Sequence, residues 1–145
     1  MSWDRPLLGA LRVEWEVIGS ITLDQNGKLY FPKAPSSAGL YQFCIERSDG
    51  NLGRYVGESD NLSRRFGHYR NPGPTQPTNL RVNALFKDLL TGGHSIKVAI
   101  ATGGAWILRN NREELANLNE RNMRRLFENF VLVMGKGEHI KEINR

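Results

Sequence analysis

Along this chain the spacing of apolar residues switches between every second position and every third or fourth, and the switches mark the elements. Residues 17–23 (VIGSITL) and 28–31 (KLYF) are β-prone runs flanking Asp24, Gln25, Asn26 and Gly27. Asn-Gly tolerates the positive φ of a tight turn, so the segment reads as a hairpin. Pro32 and Pro35 end it. A second hairpin is expected where 40–46 (LYQFCIE) and 54–56 (RYV) are joined across Asp49 and Gly50. Ser59 or Asp60 is placed to cap a helix running through about Tyr69. The loop 71–77 (NPGPTQP) holds three prolines and a glycine, which forbid regular structure.

Thr78 or Asn79 is the expected cap of a second helix, whose Val82, Leu85, Phe86 and Leu89 share one face and which stops at Gly92 and Gly93. Residues 95–101 (SIKVAIA) alternate as a further strand. After a glycine loop at 102–105, Asn110 or Asn111 is expected to open a last helical region ending near Met134. The order strand, strand, helix, helix, strand, helix predicts an α+β fold: a small antiparallel three-stranded sheet flanked by helices. Residues 1–37 read as an N-terminal extension carrying a β-hairpin, and residues 38–145 as the main domain.

At 145 residues with 39% hydrophobic and 24% charged positions, the chain suits a single core. Its one cysteine, Cys44, lies in an apolar run and is expected to be a small core residue. No apolar stretch reaches the roughly 20 residues of a membrane span, and the first residues lack the form of a signal peptide. The expectation is a soluble, cytoplasmic protein. Lys and Arg total 20 against 15 Asp and Glu, a net charge of +5, and 14 of those 20 bases are arginine, the side chain suited to gripping phosphate with a planar fork.

Helical steps of about 100° place Leu62, Phe66 and Tyr69 in one arc that also contains Arg65, with Arg64 outside it. An arginine on an apolar face needs an anionic partner, from the protein or from a ligand. In the last helical region Glu128 is the sole ionisable residue of LFENFVLVM. Its wheel position opposite Leu115, Met123, Leu126 and Phe130 favours a solvated side chain. The apolar Val131 and Leu132 that follow favour a wedged one. His68, His94 and the distant His139 have no metal-ligand spacing with Cys44, so structural zinc is not expected. P-loop, dinucleotide and nucleophile-elbow motifs are absent.

Gly39, Leu40 and Tyr41, then Tyr55, Val56 and Gly57 on the partner strand, resemble the two signature triplets of the GIY-YIG nuclease superfamily. Asn61, Leu62, Arg65 and Tyr69 resemble that family's helix, with the arginine ten residues beyond Tyr55, and Glu128 in LFEN resembles its late metal-binding glutamate. The resemblance spans about residues 38 to 133. It implies a metal-dependent DNA endonuclease with Tyr55 as general base or water-orienting group, Tyr41 and Tyr69 as support for nucleophile and phosphate, Arg65 on the phosphate, and Glu128 on one Mg²⁺ or Mn²⁺. A free tyrosine, with its pKa near 10, is a poor base at neutral pH, so a cation must help to activate the water. One carboxylate suffices, since Mg²⁺ keeps several waters. Glu58 departs from the excision-repair branch, which carries a lysine there, and Tyr69 stands where several homing endonucleases have histidine. The rival function is a catalytically inactive nucleic-acid-binding or scaffold module on the same fold.

Arg64, Arg70, Asn79 and Arg81, around the proline loop and the start of the second helix, are the expected DNA-backbone contacts. An alternative basic surface is Arg121, Arg124 and Arg125. With no appended DNA-binding domain expected after the nuclease region, cleavage specificity falls to core loops, the N-terminal extension, a homodimer or a separate protein.

Overall fold

The structure, a computed structural model, describes residues 3–135 and the short strand at 140–142. In chain order the strands are β1 (Gly9–Val13), β2 (Glu16–Leu23), β3 (Leu29–Tyr30), β4 (Gly39–Glu46) and β5 (Leu52–Ser59). Helices α1 (Leu62–Arg70) and α2 (Pro77–Thr91) follow, then β6 (Ser95–Ala101), β7 (Ala105–Arg109) and β8 (Arg112–Leu115). The chain continues into α3 (Arg121–Met134) and β9 (Ile140–Glu142). The main sheet has the order β3-β2-β6-β4-β5-β9 and a smaller one the order β1-β7-β8. No helix among the described residues is long and apolar enough to cross a membrane.

The three expected strands are the middle of the main sheet: β4 pairs antiparallel with β5 on one side and with β6 on the other. The Asp-Gly turn is confirmed by Gly50 at φ +88° and by the Asp49 carboxylate accepting the Asn51 N–H at 3.0 Å. Both hairpins are present, and β2 also pairs with β6, so the N-terminal hairpin extends the same sheet. Arg70 fastens it: Nε donates to the Leu29 carbonyl at 3.0 Å, and Nη2 reaches Asp24 at 3.4 Å.

Strand β4 is buried on both faces. Tyr41, Phe43 and Ile45 join Phe66, Tyr69, Val82 and Phe86 of α1 and α2 in one core cluster. Leu40 meets Ala101, Ala105, Leu118 and Phe127 in a second, beneath α3 and the small sheet. The period-2 alternation of a single strand thus feeds two cores. Cys44 lies among the alternate positions of β4 and is only partly buried.

Two local expectations are corrected. The cap of α1 is Asn61, in extended backbone at φ −154°, with its Oδ1 accepting the Arg64 N–H at 2.9 Å. Ser59 supports that cap by accepting the Asn61 N–H, and Asp60 instead pairs with Arg64. Helix α2 begins at Pro77 with Gln76 as its cap, so Thr78 and Asn79 lie within the first turn. The proline's fixed φ and missing N–H suit the first helical position.

The larger correction concerns residues 105–120. Asn110 and Asn111 open no helix; at φ 53° and 61° they form the tight turn between β7 and β8, and α3 starts only at Arg121. Asparagine tolerates this left-handed backbone, and two in succession suit a two-residue hairpin turn. Leu115 therefore belongs to an exposed strand, and the stripe used to orient Glu128 is not a stripe of one helix.

Candidate active site

The site forms where the two faces of the main sheet meet around the outer edge of β5. Strand β9 pairs with β5 only along Leu52, Gly53 and Arg54, which leaves the later part of that edge without a strand partner among the described residues. Helix α1 approaches from one face and α3 from the other. Between them lies an open cleft of about 250 Å³ lined by Tyr41, Tyr55, Gly57, Glu58, Arg65, Tyr69, Glu128 and neighbouring apolar side chains. The structure thus brings together all five residues to which the sequence resemblance gave catalytic roles.

Three tyrosines form its floor. The hydroxyls of Tyr41 and Tyr69 lie 2.6 Å apart in the buried interior, and the Tyr55 ring meets that of Tyr69 edge-on at 6.3 Å. Burial pushes the Tyr41 and Tyr69 hydroxyls far up from the ordinary tyrosine range, reinforced for Tyr69 by Tyr41 and Tyr55 beside it. Both therefore remain protonated at neutral pH. Tyr55 is 6% exposed against 2% for Tyr41 and none for Tyr69, and its ring stacks on Phe43 at 6.0 Å. The sequence places Tyr41 here through a glycine: a Cβ at Gly57 would fall 2.3 Å from the Tyr41 hydroxyl.

Arg65 is half-buried on α1, inside the arc predicted from helical spacing. Burial opposes its charge, but Tyr41, Tyr69 and Glu58 more than offset that, and the net shift is upward. Its guanidinium is therefore a fixed positive charge at the wall of a cleft that opens to solvent.

Glu128 is half-buried, not solvated as its assumed wheel position favoured. The residues α3 buries are Arg124, Phe127 and Val131, while Leu126 is 44% exposed. The true stripe is therefore rotated from the expected one, and Glu128 sits on its flank. Desolvation, then the nearby Glu58, raise the Glu128 carboxyl above the ordinary range, while Arg125, Arg65 and a hydrogen bond from the Glu58 backbone N–H pull it down. A carboxylate so placed fits a small hard cation that retains water: it offers one oxygen donor group in a polar, open cleft. No group of three or more His, Cys, Asp or Glu suited to a metal occurs among the described residues. His139 lies outside them.

Sequence reasoning did not find the pair behind this site. Arg124 is 6% exposed, and its Nε lies 2.6 Å from Glu58 Oε2 while Nη1 donates to the Leu118 and Asn119 carbonyls. It is thus no part of an exposed basic surface with Arg121 and Arg125, both of which are exposed. An arginine three residues before a buried phenylalanine was the available signal, hidden by the misplaced start of the helix.

Of the expected DNA contacts, Arg64 is exposed and pairs with Asp60 at 2.5 Å. Arg81 is also exposed, on the first turns of α2. Arg70 is engaged with Leu29 and Asp24. Asn79 is buried, and its amide donates to Gln76 at 2.9 Å, so it serves the loop rather than the surface.

An antiparallel hairpin carrying two tyrosine-glycine triplets, a following helix with an inward arginine, and a late helix bringing one glutamate to the same cleft define a GIY-YIG-like α+β fold. By sequence the chain matches no family model, and no curated protein matches it at a significant level. By structure it is similar to a mutant form of bacteriophage T4 EndoII, with a TM-score of 0.54 and 16% identity over 81% of this chain and 86% of that one. At that identity the likeness establishes the fold.

Proposed function

We propose that the protein is a metal-dependent DNA endonuclease. The observation that carries the proposal is the convergence of Tyr41, Tyr55, Arg65, Tyr69 and Glu128, drawn from two strands and two helices, on one solvent-open cleft. The structural likeness to EndoII supports a nuclease, and the arginine-rich composition supports a nucleic-acid substrate.

Hydrolysis of a phosphodiester needs a deprotonated water, neutralisation of the charge spread over the phosphate oxygens, and help for the leaving oxygen. Arg65 supplies the fixed positive charge, and its place at the wall of the cleft lets it donate to a phosphate oxygen. Tyr41 and Tyr69, held protonated by burial, orient rather than accept protons. Tyr55, lining the cleft and packed edge-on against Tyr69, is the hydroxyl assigned to orienting or deprotonating the attacking water. Glu128 would hold Mg²⁺ or Mn²⁺, which supplies Lewis-acid stabilisation of the phosphate and the leaving oxygen when bound.

Arg64 on α1 and Arg81 on α2, both exposed, are the residues we assign to contacts with the DNA backbone. The Arg64–Asp60 pair is exposed on both sides, where solvent screens it, so Arg64 readily exchanges Asp60 for a phosphate.

The test is incubation of supercoiled plasmid with the purified protein in Mg²⁺, in Mn²⁺ and in chelator. Nicking or linearisation with either cation and none with chelator is the expected result. Binding without cleavage under every condition establishes the inactive nucleic-acid-binding module instead.

A further inference from the structure

Arg124 and Glu128 stand four residues apart on α3, the spacing at which an arginine and a glutamate on one helix ordinarily pair. Here Arg124 is turned away. Its Nε is held by the Glu58 carboxylate at 2.6 Å and its Nη1 by the carbonyls of Leu118 and Asn119, each at 3.0 Å. The ion pair is enclosed, with side-chain exposures of 7% for Arg124 and 18% for Glu58. Glu58 and Glu128 meanwhile line the same cleft. One residue of β5 therefore holds the arginine of the helical pair through its side chain, beside the cleft that the glutamate lines.

We infer that Glu58 is a positioning residue: it serves as the counter-ion of Arg124, keeps that guanidinium off Glu128, and so leaves the Glu128 carboxylate open to a divalent cation. The inference rests on the nuclease reading above, in which Glu128 takes the cation. A buried guanidinium stripped of its carboxylate is strongly unfavourable. With the Glu58 side chain removed, Glu128, one turn away on the same helix, is a carboxylate to which the arginine can turn. An internal Arg124–Glu128 pair then competes with the cation. Glu58, although it lines the cleft, thus acts on the cation through Arg124, and the loss of such an outer partner lowers metal affinity by about 10- to 100-fold at characterised sites.

The experiment is Mn²⁺ binding to the whole protein without DNA, read from the electron paramagnetic resonance signal of free Mn²⁺. Glu128→Gln is expected to abolish the binding seen in the unsubstituted protein. If that binding persists, the placement of the cation on Glu128 is wrong, and the inference falls with it. Given that loss, Glu58→Ala is expected to weaken Mn²⁺ binding at least about tenfold. Glu58→Ala combined with Arg124→Met, which removes both charges, is expected to restore it to within a few-fold. If Glu58→Ala does not fold, Glu58→Gln takes its place in the same comparison. Unchanged affinity in the single variant overturns the inference while leaving the nuclease reading intact. So does a double variant that binds as weakly as the single one, since a merely structural role for Glu58 gives no rescue on removing Arg124.

Discussion

Gly57 and Tyr41 occupy neighbouring positions across the β4–β5 ladder, and the tyrosine ring fills the space where any other residue would carry its Cβ. A methyl there would lie 2.3 Å from the hydroxyl that meets Tyr69. Gly57→Ala is therefore expected to destabilise the fold by about 1–3 kcal/mol, the usual cost of overpacking, and to separate the Tyr41 and Tyr69 hydroxyls. Denaturant unfolding measures the first effect and near-ultraviolet circular dichroism of the tyrosines the second.

Tyr55→Phe and Arg65→Ala are expected to leave the fold in place and to lower cleavage by at least about a hundredfold, the scale for a positioned base or a charge stabiliser. Plasmid cleavage rates, with thermal melts as the folding control, check both. Wild-type turnover in Arg65→Ala removes that residue from the proposed mechanism.

Glu128→Gln is expected to abolish metal-supported cleavage while DNA binding without metal persists or tightens, because a negative charge is removed from the cleft proposed to receive the phosphate. Electrophoretic mobility shifts in chelator, run beside cleavage assays, separate the two effects. Unchanged cleavage shows that Glu128 holds no essential cation.

The same carboxyl gives a pH signature. Desolvation and Glu58 raise its pKa in the folded state, so between the unfolded value near 4.3 and the folded one the native state binds the extra proton. The metal-free protein accordingly loses stability from this group as pH rises through that interval, and the penalty is complete above the folded pKa. Glu128→Gln should raise the melting temperature at neutral pH, and the gain should disappear below about pH 4, where both states are protonated. Melting curves over that range in chelator decide it; an equal gain at every pH assigns the effect to packing.

For DNA binding, alanine at Arg64 and Arg81 should weaken affinity for all sequences alike and flatten the salt dependence by about 0.9 log units for each phosphate that is no longer neutralised. Filter binding across a salt series reads the slope. Arg70→Ala needs a stability control, because its bonds to Leu29 and Asp24 tie α1 to the N-terminal hairpin. An unaltered slope in the Arg64 and Arg81 double variant moves the binding surface to Arg121 and Arg125.

What the sequence determined by itself was mostly what is local or strictly periodic. Alternation along 40–46 and 95–101, the Asn-Gly and Asp-Gly turns, and the apolar faces of α1 and α2 are set by backbone geometry and side-chain sterics within a few residues. The tyrosine triplets with Arg65 and Glu128 were legible for the same reason, as fixed spacings on those elements. Tertiary structure decided what depends on partners distant in the chain. Strand β1 is defined by pairing with β7, and β2 enters the main sheet by pairing with β6, across separations that no local pattern encodes. The Asn110–Asn111 turn was a local signal overruled in reading by the helix-prone residues that follow it. That shifted the start of α3 and rotated the inferred position of Glu128. The charge of Arg124 likewise marked it for solvent, yet Glu58, which lies 66 residues away in sequence, supplies a carboxylate that makes burying it tolerable. Composition could count those two charges, but only packing α3 against the outer edge of β5 could pair them.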